Sequence, residues 1–382
     1  MSIKRELLSK TKLEFYNEIK KYQQTLKPTK ELEGYAASSI VGEKNYPYLS
    51  IHNIQTEDKK AGYKNTAEIV KKDYSDIFKF KAKNILGTTN KEHIRKVDDR
   101  IKKEIEDIYK AKNDPNFTTE FEKELKFDKV LVNKVSGIMG SKNPLQKLQT
   151  NENVQTSKQV EKYTQEDIKS KEAIISLYEK GTNEHQIINL LALGSFGINM
   201  NKKLVPTRWA ITAYDKCIEN YLHQKLTQFK IINEFQIFQS YNKGNTFLII
   251  LIPNNQSFEN IEWFGQKLCD YSSFENKLDK EEPETAGGFY ASKVAVSEHL
   301  MEIKKQASIL CIRLIEDYDL PLGVVLVRES IRDAMKNKIF SCSNEKEMIE
   351  FLHTKNKVFE KLYLESRTLR ENKNQKKLRE FF

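Results

Sequence analysis

The sequence predicts an α/β or α+β protein: a mixed sheet flanked by long helices, then a helical C-terminal stem and an exposed terminal peptide. Three observations predict it. Stretches with apolar residues at helical spacing recur after residue 164, in TQEDIKSKEAIISLYEKG, HQIINLLALG and RWAITAYDKCIENYLHQKL. Between and after them stand short β-branched and aromatic runs bounded by turn residues, most clearly FQIFQSYNKGNTFLIILIP. Residues 355–382 alternate apolar and charged side chains and close on QKKLREFF.

In chain order, residues 1–30 place Ile3, Leu7, Leu8, Phe15, Ile19, Tyr22 and Leu26 at helical spacing among lysines, the pattern of an amphipathic helix. Residues 31–139 read as an N-terminal α/β region. It has β-compatible pieces at YPYLSI (46–51) and DIFKFKAKNILG (76–87), a charged helix over 91–111, a turn at Asn113-Asp114-Pro115 and an apolar run to Gly137. Residues 140–163 are polar, with a single proline, and predict a connecting segment.

A C-terminal α/β core is expected over 164–340. Thr164, with Asp167 three positions on, resembles a capping arrangement, and Gly181 and Gly194 supply helix stops. Thr207 is the expected N-cap of the next helix, which runs through RWAITAYDKCIENYLHQKL. Asn242-Lys243-Gly244-Asn245 should turn a hairpin that Pro253 ends. A long helix is expected from Gly287-Gly288 through FYASKVAVSEHLMEIKKQASILCIRLI, followed by a buried strand GVVLVRES (323–330). Helices fill the remainder, with a basic stem over 341–374 ahead of the peptide 375–382.

Composition excludes several classes. The 382 residues suffice for a substantial core, and no apolar run long enough for a membrane span occurs. The N-terminus has neither the apolar core nor the cleavage site of a secretory signal. Cys217, Cys269, Cys311 and Cys342 stand far apart with no C-x-x-C pair, which predicts reduced thiols in a cytoplasm and no zinc site built from cysteine pairs. The net charge of +10 sits at the ends: residues 1–30 and 355–382 each carry +5, leaving 31–354 neutral. A broadly basic groove is therefore not predicted, although a local basic patch stays open.

No P-loop, G-x-G-x-x-G, G-x-S-x-G or H-E-x-x-H motif is present. His299 in EHLME lies beside Glu298 and Glu302, in a spacing that matches no strong metal motif and fits a packed helix histidine. Arg208 and Trp209 fall in the first turn after Thr207, where a cation opposes the helix dipole at a cost of up to ~1 kcal/mol. An anion there, held with Lys203, would remove the conflict; alternatively Arg208 leans into solvent while Trp209 fills the core. Gly287 and Gly288, then Tyr290 and Lys293, combine close backbone approach with stacking and charge, or simply make a turn. Arg328 and Glu329 end the expected strand GVVLVRES, as functional groups or a structural ion pair. Together these residues form a candidate phosphate, nucleotide or DNA site, with Asp215 and Glu329 as candidate acid or base.

The sharpest signal is Gln375, Leu378, Phe381 and Phe382, spaced Q-x-x-h-x-x-a-a. A single 3₁₀ turn would put Leu378, Phe381 and Phe382 on one face as a plug and free Gln375 to hydrogen-bond a pocket.

That peptide is similar to the PIP motif by which repair and replication proteins bind the sliding clamp PCNA. The body resembles the archaeal Nre family of DNA repair proteins through KLVPTRWAITAYD, EAIISLYEKG, LLALGSFG, GGFYASKVAV and PLGVVLVRESIR in that order, with weaker matches at IVGEKNYPYLSI and DIFKFKAKNILG. The resemblance implies a role in DNA damage repair and recruitment to DNA through PCNA. It departs in one respect: many relatives carry a cysteine-rich, zinc-finger-like N-terminal segment, whereas the first cysteine here is Cys217. Two functions stand at this stage. One is a clamp-recruited DNA repair factor; the other is a nucleotide- or phosphate-binding enzyme or sensor acting in nucleic-acid repair.

Overall fold

A computed structural model describes residues 17, 29–62, 64, 66–73, 76–77, 83–95, 99–125, 131–133, 137–139, 142–151, 153–264, 267–275, 286–316 and 323–374. Nearly all of the helix expected over 1–30, and all of the peptide 375–382, lie outside them. The chain forms two units, one of Met1–Cys217 with Asp319–Leu322 and one of Ile218–Tyr318 with Gly323–Phe382. The division falls at Cys217 rather than in the polar stretch 140–163.

The first unit is built on five strands, with minor elements between them. In chain order it has β1 (Glu31–Val41), β2 (Tyr48–Leu49), β3 (Ile51–Thr56), α1 (Thr66–Lys71), β4 (Ile85–Thr88), β5 (Glu92–His93), α2 (Asp99–Lys110), β6 (Phe117–Phe121), β7 (Leu131–Asn133), β8 (Gly137–Met139) and β9 (Lys142–Thr150). Strands β1-β3-β4-β9-β6 close into a barrel in which β4 and β9 run parallel and every other pair is antiparallel. Counting only barrel strands, the order is first, second, third, fifth, fourth and back to the first. With α2 between the third and fourth, this is the Greek-key topology of the OB fold. Closure leaves no barrel edge to pair with another chain.

Strand β9 overturns the expectation of a connecting segment over 140–163. Its side chains alternate on either side of a bulge at Gln146, which brings Leu148 to the same buried face as Asn143 and Leu145, so a polar-looking sequence still supplies one inward face. Beyond it α3 (Lys158–Gln165) occupies the rest of the stretch. Thr164 lies inside that helix and not at a cap; its hydroxyl donates to the Glu161 carbonyl, and Asp167 accepts from the Asn199 N–H.

Next come α4 (Ser170–Glu179) and α5 (Glu184–Ala192), each ended as the sequence predicts. Gly181 (φ 71°) and Gly194 (φ 74°) hold left-handed positions, and the following N–H groups of Thr182 and Ser195 reach back to the carbonyls of Leu177 and Leu190. Amides bolt α5 to its unit: Asn189 accepts from the Ser39 N–H of β1 at 3.0 Å, and Gln186 donates to the Tyr109 carbonyl of α2 at 2.6 Å. Helix α6 (Thr207–Leu226) follows and contributes residues to both units.

The second unit holds β10 (Lys230–Ile231), β11 (Phe235–Asn242), β12 (Asn245–Ile252), β13 (Ser257–Phe264), β14 (Lys267–Glu275), α7 (Ala286–Ile303), β15 (Lys305–Gln306), β16 (Ser308–Ile315), α8 (Gly323–Ala334), β17 (Lys338–Cys342), α9 (Glu345–Lys355), α10 (Lys357–Glu365) and α11 (Arg367–Asn374). Six strands form a mixed sheet, β14-β13-β16-β12-β11-β17, with β13 and β16 parallel. The hairpin turns at Lys243 (φ 50°) and Gly244 (φ 71°), as expected.

Strands β12 and β16 are buried on both faces, and their alternate residues enter different cores. Phe247, Ile249, Leu251, Ile309 and Cys311 pack with α7 and α8, through Phe289, Val296, Val327 and Ile331. Leu248, Ile250, Leu310 and Ile312 pack with α9 and α10, through Leu352, Phe359 and Leu362. Within this unit the sheet is thus the middle of three layers.

Two further expectations are corrected here. The long helix from Gly287-Gly288 ends at Ile303, and SILCIRLI is the central strand β16. GVVLVRES is not a strand; it opens helix α8, in which Leu326, Val327, Ser330, Ile331 and Ala334 are buried at helical spacing.

Candidate functional site

The second unit buries most of its candidate residues. Gly287 and Gly288 do not form a loop; they are the second and third residues of α7. A Cβ on Gly287 would come 3.1 Å from Val324 Cγ1 of α8, and one on Gly288 would come 3.4 Å from Glu262 Oε1 of β13. Close packing of α7 against α8 accounts for Gly287, whereas a Cβ at Gly288 would make an ordinary contact. Tyr290 is buried, its ring edge-on to Phe289. Lys293 Nζ lies 2.6 Å from Glu219 Oε1 of α6, with both side chains almost fully buried.

Arg328 is fully buried on α8, and Glu329 accepts at 2.6 Å from Arg332, whose guanidinium also makes a two-pronged bridge to Glu298. His299 packs edge-on against Phe238, and burial pushes its pKa down. These groups are held in the packed interior or in ion pairs. Among the described residues no cluster of His, Cys, Asp and Glu could hold a metal ion, and no helix is long and apolar enough to cross a membrane.

In the first unit the candidates other than Asp215 reach the surface. Asp215 is buried in α6, but Arg208 is 69% exposed, with Nη1 3.7 Å from Glu43 Oε1. Thr207 does not cap its own helix; its hydroxyl accepts the Val41 N–H at 2.8 Å, tying the start of α6 to the end of β1. Trp209 does not fill the core: it is 47% exposed, and its ring centroid lies 5.3 Å from that of Tyr46. Lys203 is half-buried, next to Leu204, whose N–H donates to the Ile94 carbonyl.

Three chain segments meet there. The loop from β1 to β3 closes on itself through Gly42 N–H to the Ser50 carbonyl at 3.1 Å, and inside it the Tyr48 N–H donates to the Asn45 carbonyl at 2.8 Å. Within the loop β2 pairs with β5, opposing Tyr48 to His93, and the Ile94 N–H donates to the Pro47 carbonyl. Buried Leu49 and Leu204 root the segments in the unit. Their outer surface carries Tyr46 (47% exposed) against Trp209, and Tyr48 (55% exposed) edge-on to His93 with centroids 5.4 Å apart. Exposed Lys44 and Arg208 neighbour Tyr46 and Trp209 in the chain.

On β3, His52 is partly buried, and burial followed by the Lys142 charge lowers its pKa to about 4. Its Nδ1 lies 3.0 Å from Thr88 Oγ1. Sequence reasoning located Arg208 and Trp209 but missed Tyr46, Tyr48 and His93. The signal lay in YPYLSI, where two tyrosines flank a proline between turn residues.

The fold and this surface define a two-unit α/β protein whose OB-type barrel presents aromatic rings to solvent. The chain belongs to the archaeal Nre family. The model for the family's N-terminal part matches residues 7–269, and that for its C-terminal part matches residues 275–381. It is similar to DNA repair protein NreA of Archaeoglobus fulgidus, 33% identical over 196 residues that cover 49% of this chain and 50% of the relative. NreA of Haloferax volcanii is 34% identical over 203 residues, 49% of this chain and 48% of the relative. DNA repair protein NreB of Archaeoglobus fulgidus is 30% identical over 235 residues, 59% and 60% respectively. The chain thus spans about half the length of the first two curated relatives. No solved structure matches it.

Proposed function

We propose that this protein acts in DNA repair and is brought to DNA by the sliding clamp PCNA through residues 375–382. The observation that carries the reading is the spacing of Gln375, Leu378, Phe381 and Phe382, which offers three apolar prongs and one amide at intervals a short 3₁₀ turn would align. The DNA repair names of the relatives support it at the level of the process. Recruitment by a clamp raises the local concentration at DNA, so the body needs no tight duplex contact of its own. That accords with a chain whose residues 31–354 carry no net charge.

Titrating the full chain against PCNA, by calorimetry or anisotropy, tests the reading. Wild type should bind, and Phe381→Ala with Phe382→Ala should abolish binding while leaving the thermal transition unchanged. Micromolar or tighter binding retained by the double variant would overturn it.

A further inference from the structure

We infer that Tyr46, Tyr48 and Trp209 form a stacking platform for the bases of an unpaired nucleic-acid strand, with Arg208 and Lys44 meeting its phosphates. The inference rests on the first unit alone and is independent of the clamp reading.

Four observations converge on it. Tyr46, Tyr48, Trp209, Tyr241 and Phe264 are the exposed large aromatics among the described residues, and the first three stand on the joined segments 42–50, 92–95 and 204–209. Each ring is fixed by a neighbour without being covered. Tyr46 and Trp209 are tilted 44° to one another and Tyr48 and His93 71°, yet the three aromatics remain about half exposed. Such rings serve a base better than they serve water, because every base offers an apolar face.

The charge suits the same occupant. Exposed Lys44, Lys91, Arg95 and Arg208 lie on or beside these segments, opposed by Glu43 and Glu92. The Glu43 carboxylate stands 3.7 Å from the Arg208 guanidinium, far enough that a phosphate can replace it. Finally, the loop between the first two barrel strands is one of the places where OB barrels take oligonucleotides, and here that loop carries Tyr46 and Tyr48. Fold alone would not assign a ligand; exposed rings with cations at that loop do. A duplex keeps its bases stacked inside and offers the rings nothing.

The test uses the full chain, without PCNA. Fluorescein-labelled oligo-dT, oligo-U and a duplex of equal length are titrated by anisotropy at low salt, and Trp emission is followed with unlabelled strands. Oligo-dT or oligo-U should bind more tightly than the duplex. Stacking on Trp209 should quench emission, and Trp209→Phe should remove that quench while retaining most of the affinity. Tyr46→Ala with Trp209→Ala should weaken single-strand binding at least about ten-fold. With two or three phosphates contacted, log K should fall with log salt at a slope of about −1.4 to −2.1.

All three rings are exposed, so the variants should unfold at the wild-type temperature, which a thermal scan checks. The inference is overturned if the double alanine variant binds single strands as wild type does, if saturating strand leaves Trp emission unchanged, or if no single strand binds at low salt.

Discussion

At the scale of single residues, burial and charge set the chemistry of the titratable groups. His52 is held neutral in the folded protein, its pKa lowered to about 4 by burial and by Lys142, whereas an unfolded histidine titrates near 6.5. The unfolded chain therefore takes up a proton that the folded chain refuses, so stability is lost as pH falls from about 6.5 toward 4. Thermal unfolding of wild type should drop more steeply across that window than that of His52→Gln; parallel profiles would contradict the assignment. The thiols follow the same rule with opposite sign. Burial raises Cys217 to about 11 and Cys311 to about 12, so neither is a ready nucleophile at neutral pH. Native alkylation of both should be slow and should accelerate on unfolding.

At the scale of elements, two left-handed glycines close two neighbouring helices, yet they differ in what surrounds them. A Cβ on Gly181 would meet nothing within 4 Å, whereas one on Gly194 would collide with the Lys203 backbone. Gly181→Ala should cost about 1 kcal/mol, the strain of its φ alone. Gly194→Ala should cost at least twice that, because backbone must move and Lys203 leads into the segment bearing Trp209. Urea unfolding of the two variants compares them directly.

These helices were legible because α4 and α5 combine helical periodicity with glycine stops, and the β11–β12 hairpin because Lys243-Gly244 interrupts alternating apolar runs. GVVLVRES was not legible: its β-branched residues suit a strand, and only packing against α7 reveals the helical stripe. SILCIRLI failed in the other direction, since a run buried on both faces has no period to read.

At the scale of the whole molecule, the second unit could be anticipated as a sheet between helices, while the barrel could not. Its strands are short or polar, and buried Asn53, Gln55 and Thr119 replace the apolar residues that would have advertised them. The same polarity made β9 look like a connector, although it pairs with β4 on one side and β6 on the other. The two interpretations predict opposite outcomes for one experiment. A connector tolerates a single-glycine insertion between Lys147 and Leu148, whereas in a barrel strand that one-residue shift turns Leu148 away from the core and breaks closure. We expect the insertion to lower the thermal transition strongly, with a matched insertion at exposed Asn255 having little effect.

The ion pair of Glu219 and Lys293 carries a consequence for inheritance. His223 stands 3.9 Å from the same Glu219 carboxylate and stays beside it when Lys293 is lost. Removing one member of a buried pair costs about 3–5 kcal/mol, a large share of an ordinary fold's stability, whereas replacing both with apolar side chains can be neutral. Descendants of this chain that lose either charge should therefore tend to lose both. The path through a single loss is a valley that drift seldom crosses, so the charges at the two positions should be kept or lost together.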